Sequence, residues 1–155
     1  MPAVSNSSPL IALAQIDQLD LLRRLFGAVL VPPAVVAEVA PTLRALPSWI
    51  EIHALTGAAP ADLNRRGLGP GEREALALSL EMKPSLVILD DLPARRIANA
   101  LGLPLIGTLG VLLAAKEAGL VESIRPHLDK LAAHRFFVSD DVYRDLLKAA
   151  GELSD

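Results

Sequence analysis

Oxygen-bearing side chains follow three apolar runs of this chain: Asn6 behind Pro2 to Ser5, Asp90 and Asp91 behind Leu86 to Leu89, and Thr108 behind the run ending at Ile106. Two glutamates add to them. On a helix, Glu72 shares a face with Ala75, Leu76 and Ser79, at i+3, i+4 and i+7, so that face is expected to point inward. Glu74 lies about 200° around the same helix, near Leu78 and Glu81, and is expected to face solvent. Glu38 stands three residues after Val35 on a shorter helical segment. Each residue also has a purely structural explanation. Asn6 or Ser8, Asp91 and Thr108 can cap following helices, at about 1 kcal/mol apiece. Glu72 can be a first-turn acid favoured by the helix dipole, worth about 0.3–1 kcal/mol. Ser139-Asp140-Asp141 also precedes a helix with nothing else pointing to chemistry, so an Asp-Asp pair means little alone. Together the residues carry more. Carboxylates converging in a cleft repel one another, and such a site persists when a hard divalent cation neutralises it. Magnesium suits this donor set, and the chemistry that follows is attack of an activated water on a phosphodiester.

Composition narrows the alternatives. The chain has no cysteine, which excludes disulfides, thiolate metal sites and cysteine nucleophiles and is compatible with a reducing cytoplasm. His53, His127 and His134 show no metal-ligand spacing, so oxygen ligands are left. Neither G-x-G-x-x-G nor a P-loop lysine motif occurs, which leaves a nucleotide-binding or phosphoacceptor role for Asp90 and Asp91 poorly supported. A formal charge of −3 argues against a general phosphate-backbone binder, although the pairs Arg65-Arg66 and Arg95-Arg96 can steer RNA locally. No apolar run approaches the roughly 18 residues of a membrane span and the N-terminus lacks signal-peptide character, so a soluble, cytoplasmic protein without a membrane partner is expected.

The positioning elements follow from periodicity. Pro2 to Ser5 predicts a short strand, and Asn6-Ser7-Ser8-Pro9 predicts a helix start with proline at a first helical position. A second helix is expected from about Asp17, ending at Gly27, then a strand at Ala28 to Val31 and a helix opened by Pro32-Pro33 and stopped before Pro41. Trp49 to His53 alternates as a half-buried strand does. Thr56 to Gly71 lacks periodicity and is expected to be an exposed, mobile connection. A helix from Pro70 to Met82, a strand at Leu86 to Leu89, a helix to Leu101 and a buried strand at Leu103 to Ile106 come next. Helices from Thr108 to about Ala118, Ser123 to Ala133 and Ser139 to Ala150 complete the chain. With 155 residues, 52% of them hydrophobic and 3% aromatic, one domain over 1–155 is expected, its core built from Leu, Ala, Val and Ile. Alternating strands and helices imply an α/β fold, a parallel sheet with helices on both faces in three layers, α/β/α. Its ligand crevice should lie beyond the carboxyl ends of the strands.

Four segments, in order, carry a resemblance: Val4 to Ile11, Leu68-Gly69-Pro70-Gly71-Glu72-Arg73-Glu74-Ala75, Leu89-Asp90-Asp91 with Ala94-Arg95-Arg96, and Gly107-Thr108-Leu109-Gly110-Val111-Leu112. Over nearly the whole chain these resemble PIN-domain proteins, most closely an uncharacterised prokaryotic branch related to the VapC toxins. The resemblance implies a PIN-like fold and an Mg2+- or Mn2+-dependent endoribonuclease. By position, Asn6 takes the place of the first-strand aspartate, Glu38 the second acid, Glu72 the third and Asp90 or Asp91 the fourth. Ser7 and Thr108 would support them. It further implies RNA as substrate, a small antitoxin protein as partner and a homodimer. The departure is Asn6, whose amide oxygen can ligate magnesium but brings no anion. A catalytically weakened PIN-like module that binds RNA or a protein without cleaving therefore stays open as the alternative.

Overall fold

Short runs of Val, Ile, Leu and Ala form the sheet, and the structure, a computed structural model, describes residues 2–64, 67–84 and 86–153. Strands β1 (Ala3–Ser5), β2 (Val29–Val31), β3 (Ile50–Ile52), β4 (Val87–Ile88) and β5 (Leu105–Ile106) pair in the order β3-β2-β1-β4-β5, every pairing parallel. All residues of β1, β2 and β4 are buried, as expected of strands covered on both faces. The strand at Leu103 to Ile106 is not the buried one its composition suggested. β5 lies at the sheet edge with both residues half-buried, because an edge strand has no neighbour on one flank. Ile52 on the opposite edge is 57% exposed for the same reason.

Helices α1 (Ser7–Gln15), α2 (Asp20–Phe26), α3 (Pro33–Val39), α4 (Pro70–Met82), α5 (Leu92–Ala100), α6 (Thr108–Glu117), α7 (Arg125–Ala133) and α8 (Asp140–Ala149) make the outer layers. Proline opens α3, α4 and α5 within the first two positions, where a missing N–H costs no helical bond. Pro9 falls in the first turn of α1, one of the positions whose N–H has no intrahelical partner. α2 starts at Asp20 instead of near Asp17, because Asp17 takes φ 58°, a left-handed conformation that no helix of L-residues continues.

Side chains alternate across β4. Val87, with Leu89 just beyond the strand, packs on Leu76, Ala94 and Ala98, whereas Ile88 joins the larger cluster containing Leu10, Leu13, Val111 and Leu128. The sheet thus lies between helices of α4 and α5 on one face and helices of α1, α6 and α7 on the other. The connection Thr56 to Gly71 is largely exposed, as expected, but it is anchored at several points. A short 3₁₀ turn at Ala61–Leu63 buries Leu63 to 1% exposure, Leu68 is also buried, and Thr56 and Gly57 donate backbone N–H groups to the Glu81 carboxylate. Two leucines within an aperiodic stretch can each find the core without any helical or strand repeat.

β1 has β2 on one side and β4 on the other, so the direction of winding reverses between β1 and β4. Such a switch point opens a crevice at the carboxyl ends of the strands. Here Asn6 N donates to Ile88 O at 3.0 Å, which brings the chain leaving β1 against the chain about to reach Asp90.

Candidate active site at the switch point

Asn6 holds the backbone position of an N-cap for α1, yet its side chain makes no capping hydrogen bond and the residue is only 2% exposed. Capping is therefore not what its amide does. The Ser7 hydroxyl donates to Glu38 Oε1 at 2.8 Å and lies 3.5 Å from Asn6 Oδ1. This contact draws the end of α3 onto the start of α1. Glu38 then rests against the first turn of α4, where a Cβ at Gly71 would sit 1.9 Å from Glu38 Oε1 and 2.8 Å from its Cδ. Any larger residue there would displace the Glu38 carboxylate from this position. In the same turn, Glu72 folds back over its own helix start: a Cβ at Gly69 would meet Glu72 Oε2 at 2.8 Å.

Glu74 corrects the expectation of a solvent-facing residue. It is half-buried, and its Oε1 accepts the Ala34 N–H at 3.1 Å, while Leu78 on the same face is 1% exposed. α3 packs on that face of α4, and the N-terminal amides of α3 need acceptors that the helix does not supply. Sequence periodicity separates one helix face from another. It does not say that both are covered.

Across β4 and β5 the second half of the site is a carboxylate at a helix start. Gly107, the N-cap of α6, has no side chain to cap with, and Asp90 does so from the neighbouring strand. Its Oδ1 accepts Thr108 N at 2.8 Å and its Oδ2 accepts Thr108 Oγ1 at 2.6 Å, with Thr108 fully buried. A Cβ at Gly107 would lie 2.9 Å from Asp90 Oδ1 and 3.0 Å from Arg95 Nη1, so this glycine admits both groups. Arg95 Nη1 donates to Leu89 O at 2.7 Å, which sets the guanidinium beside the site, while Arg96 is exposed on α5. Asp91 Oδ2 accepts Ala94 N at 3.0 Å and caps α5, as Ser139 caps α8 through Val142 N. Arg65 and Arg66 lie outside the described residues.

Among the described residues, Glu38, Glu72 and Asp90 form no ion pair; the pairs present are Arg23 with Asp20, His53 with Glu51 and Lys116 with Glu152. Glu38 and Glu72 lie at the start of α4, and Asp90 lies with Arg95 at the start of α6. No three carboxylate or imidazole groups among the described residues gather closely enough to enclose an ion by themselves. Magnesium does not require that, since it keeps several waters and takes one or two carboxylates directly. Oxygen donors seated against glycines, with an amide oxygen beside them, fit a partly hydrated hard cation. Gly71 and Gly107 are the members that residue chemistry alone passed over. Both stand in the segments Gly69-Pro70-Gly71-Glu72 and Gly107-Thr108, but their purpose is visible only once a carboxylate from elsewhere lies against them.

A nuclease-type module is what the family match supports. The DUF3368 family, described as a PIN domain, matches residues 2–152, and the chain belongs to it. PIN domains are generally nucleases and typically use divalent metals. No curated protein and no solved structure matches the chain. Among the described residues, no helix is long and apolar enough to cross a membrane.

Proposed function

We propose that this protein is an Mg2+- or Mn2+-dependent endoribonuclease working at the junction of β1 and β4. The observation that carries the proposal is the seating of Glu38 and Asp90 against Gly71 and Gly107, neither in an ion pair among the described residues, where the sheet order reverses. Asn6, Glu38, Glu72 and Asp90 would hold the ion, which supplies Lewis acidity for phosphodiester hydrolysis. The chain's own groups do the positioning. Ser7 occupies Glu38 Oε1 and leaves Oε2 for other contacts. Thr108 holds both Asp90 oxygens, so the carboxylate cannot swing away when the site changes charge. Arg95 has guanidinium N–H groups beyond the one given to Leu89 O, and these are suited to a phosphate oxygen. Both members of the pair cap a helix, but Asp90 lines a cleft with Arg95 and Gly107 and Asp91 does not, so Asp90 is our choice of ligand from the pair.

Manganese titrated into the purified protein, followed by incubation with single-stranded RNA, tests the proposal. Metal-dependent cleavage that disappears in Asp90→Asn, together with a melting temperature raised by millimolar metal, is the expected result. A second reading keeps one supporting observation, the neutral Asn6 at a ligand position: a module that binds RNA or a protein without cutting. Saturable RNA binding with no cleavage in either metal would favour it. The resemblance to VapC-related proteins extends the first reading to a cytoplasmic homodimer held inactive by a small antitoxin. Co-purification with a small protein that suppresses cleavage is its test.

A further inference from the structure

The loop between α7 and α8 stands at the mouth of the candidate site and carries His134, Arg135, Phe136 and Phe137 in succession. Phe136 forms a wall shared by two clefts. One, of about 570 Å3, contains Asp90, Arg95 and Gly107 along with Phe136, Phe137 and Val142. The other, of about 260 Å3, contains Ser7 and Ser8 together with His134, Arg135 and Phe136. One cleft is thus lined in part by Asp90 and the other in part by the Ser7 that holds Glu38. Phe137 is 86% exposed, and Leu92 and Val142 beside it are 65% and 40% exposed. Three apolar side chains standing open around one cleft mark a surface that something covers. The cations are placed to match. Arg135 forms no ion pair among the described residues, and Arg95 has given only one N–H to Leu89 O. In a chain of formal charge −3, this cationic and aromatic strip is a local feature beside an acidic site.

We infer that this loop and its cleft form a subsite for single-stranded RNA, in which Phe137 stacks on a nucleobase flanking the phosphodiester at Asp90. Arg135 and Arg95 contact the phosphates on either side. The chemistry is that of single-strand recognition, where a ring supplies a face that any base can use and guanidinium groups meet the backbone. A paired base has its faces already occupied, so the subsite selects unpaired RNA. The inference rests on RNA being the ligand, as proposed above.

Fluorescence anisotropy with a labelled, unstructured RNA, in chelator so that nothing is cut, separates the possibilities. Phe137→Ala should weaken binding by about tenfold or more, the loss expected of one base–aromatic stack. Phe137→Trp should bind as wild type or tighter, and neither change should alter the melting temperature, because the ring is exposed. Duplex RNA of the same sequence should bind equally to wild type and Phe137→Ala. In manganese, Phe137→Ala should raise KM with little change in kcat. Single-stranded affinity equal to wild type in Phe137→Ala would overturn the subsite, while metal-dependent cleavage by the wild type would leave the ribonuclease proposal standing. Binding that depends on Phe137 without any cleavage would sink the ribonuclease and keep the subsite. A wild type that neither binds nor cuts RNA removes both. If Phe137→Ala instead splits a dimer in sedimentation and leaves RNA affinity unchanged, the cleft is a contact between copies of this chain and the subsite is wrong.

Discussion

Asn6 is the residue at which structure and chemistry pull hardest on each other. A buried amide that does no capping has a place to fill beside Ser7 and Glu38, and an aspartate of nearly equal size would fill it with a charge. Asn6→Asp should therefore have effects of opposite sign in the two metal states. Without metal, the added anion faces Glu38 in a desolvated position and should lower the melting temperature. With manganese, the same anion becomes a ligand, and binding should tighten by roughly 1 kcal/mol or more, given the strength of charge-assisted contacts. Calorimetric titration of both proteins decides it; a mutant as stable as wild type that binds manganese no better takes Asn6 out of the site. The Glu72 and Glu74 pair makes a second contrast. Glu72→Gln should abolish metal-dependent cleavage with little loss of stability. Glu74→Gln should keep most of the cleavage and lose about 1 kcal/mol of stability in urea, because it weakens the acceptor for the α3 amide at Ala34. Equal losses of cleavage would mean that the two carboxylates are not divided in this way.

At the level of elements, the connection from β3 to α4 bears on the site because it delivers the N-cap Gly69 and the first turn of α4 with Gly71 and Glu72. Leu63 and Leu68 tie the connection to the layer formed by α4 and α5 under Val87 and Leu89. Truncating Leu63, only 1% exposed, should cost about 2–5 kcal/mol in chemical denaturation, as for a core leucine. A loss within about 0.5 kcal/mol would mean that the segment is the exposed link its composition suggests. The short α3 shows the same dependence on neighbours. Its Glu38 reaches the site only because Ser7 and Gly71, from two other elements, make a donor and a space for it.

For the whole molecule, the chain's far end is held by one carboxylate. Partial burial pushes the Glu152 pKa up, but hydrogen bonds from Ile124 N, Ser123 Oγ, Arg125 N and Lys116 Nζ outweigh it and bring the pKa down to about 2. This contact joins the end of α8 to α6 and to the start of α7, the layer that carries the loop over the site. A carboxyl whose folded pKa lies below its unfolded value stabilises the fold fully above the unfolded pKa of about 4.5. That stability is lost as pH falls toward about 2. Glu152→Gln should destabilise the protein at neutral pH by about 1–3 kcal/mol. It should also flatten the decline in stability between about pH 4.5 and 2, as followed by urea titration across that window. An acid profile unchanged by the substitution would show that Glu152 does not close the C-terminal layer.

Periodicity alone was enough for the alternation of strands and helices, the parallel sheet and the edge at which a ligand site would lie. These follow from local steric preference and from the need to bury apolar faces, which leave their period in the residues themselves. The span Pro70 to Met82 of α4 was legible to the residue, with a proline at one end and Lys83 in a left-handed conformation at the other. Spacing could not choose between capping and site chemistry for Asn6, Asp90 and Asp91, since a cap and a ligand place the same residue types behind a strand. Tertiary packing showed what each side chain touches: Asp91 caps α5, Asp90 crosses to cap α6 at Thr108, and Asn6 makes no cap hydrogen bond. The covered face at Glu74, the carboxylates resting on Gly71 and Gly107, and the aromatic loop beside Asp90 likewise came only with the fold. Each depends on atoms tens of residues away in sequence, whose meeting is set by strand order and helix packing and leaves no periodic mark on the chain.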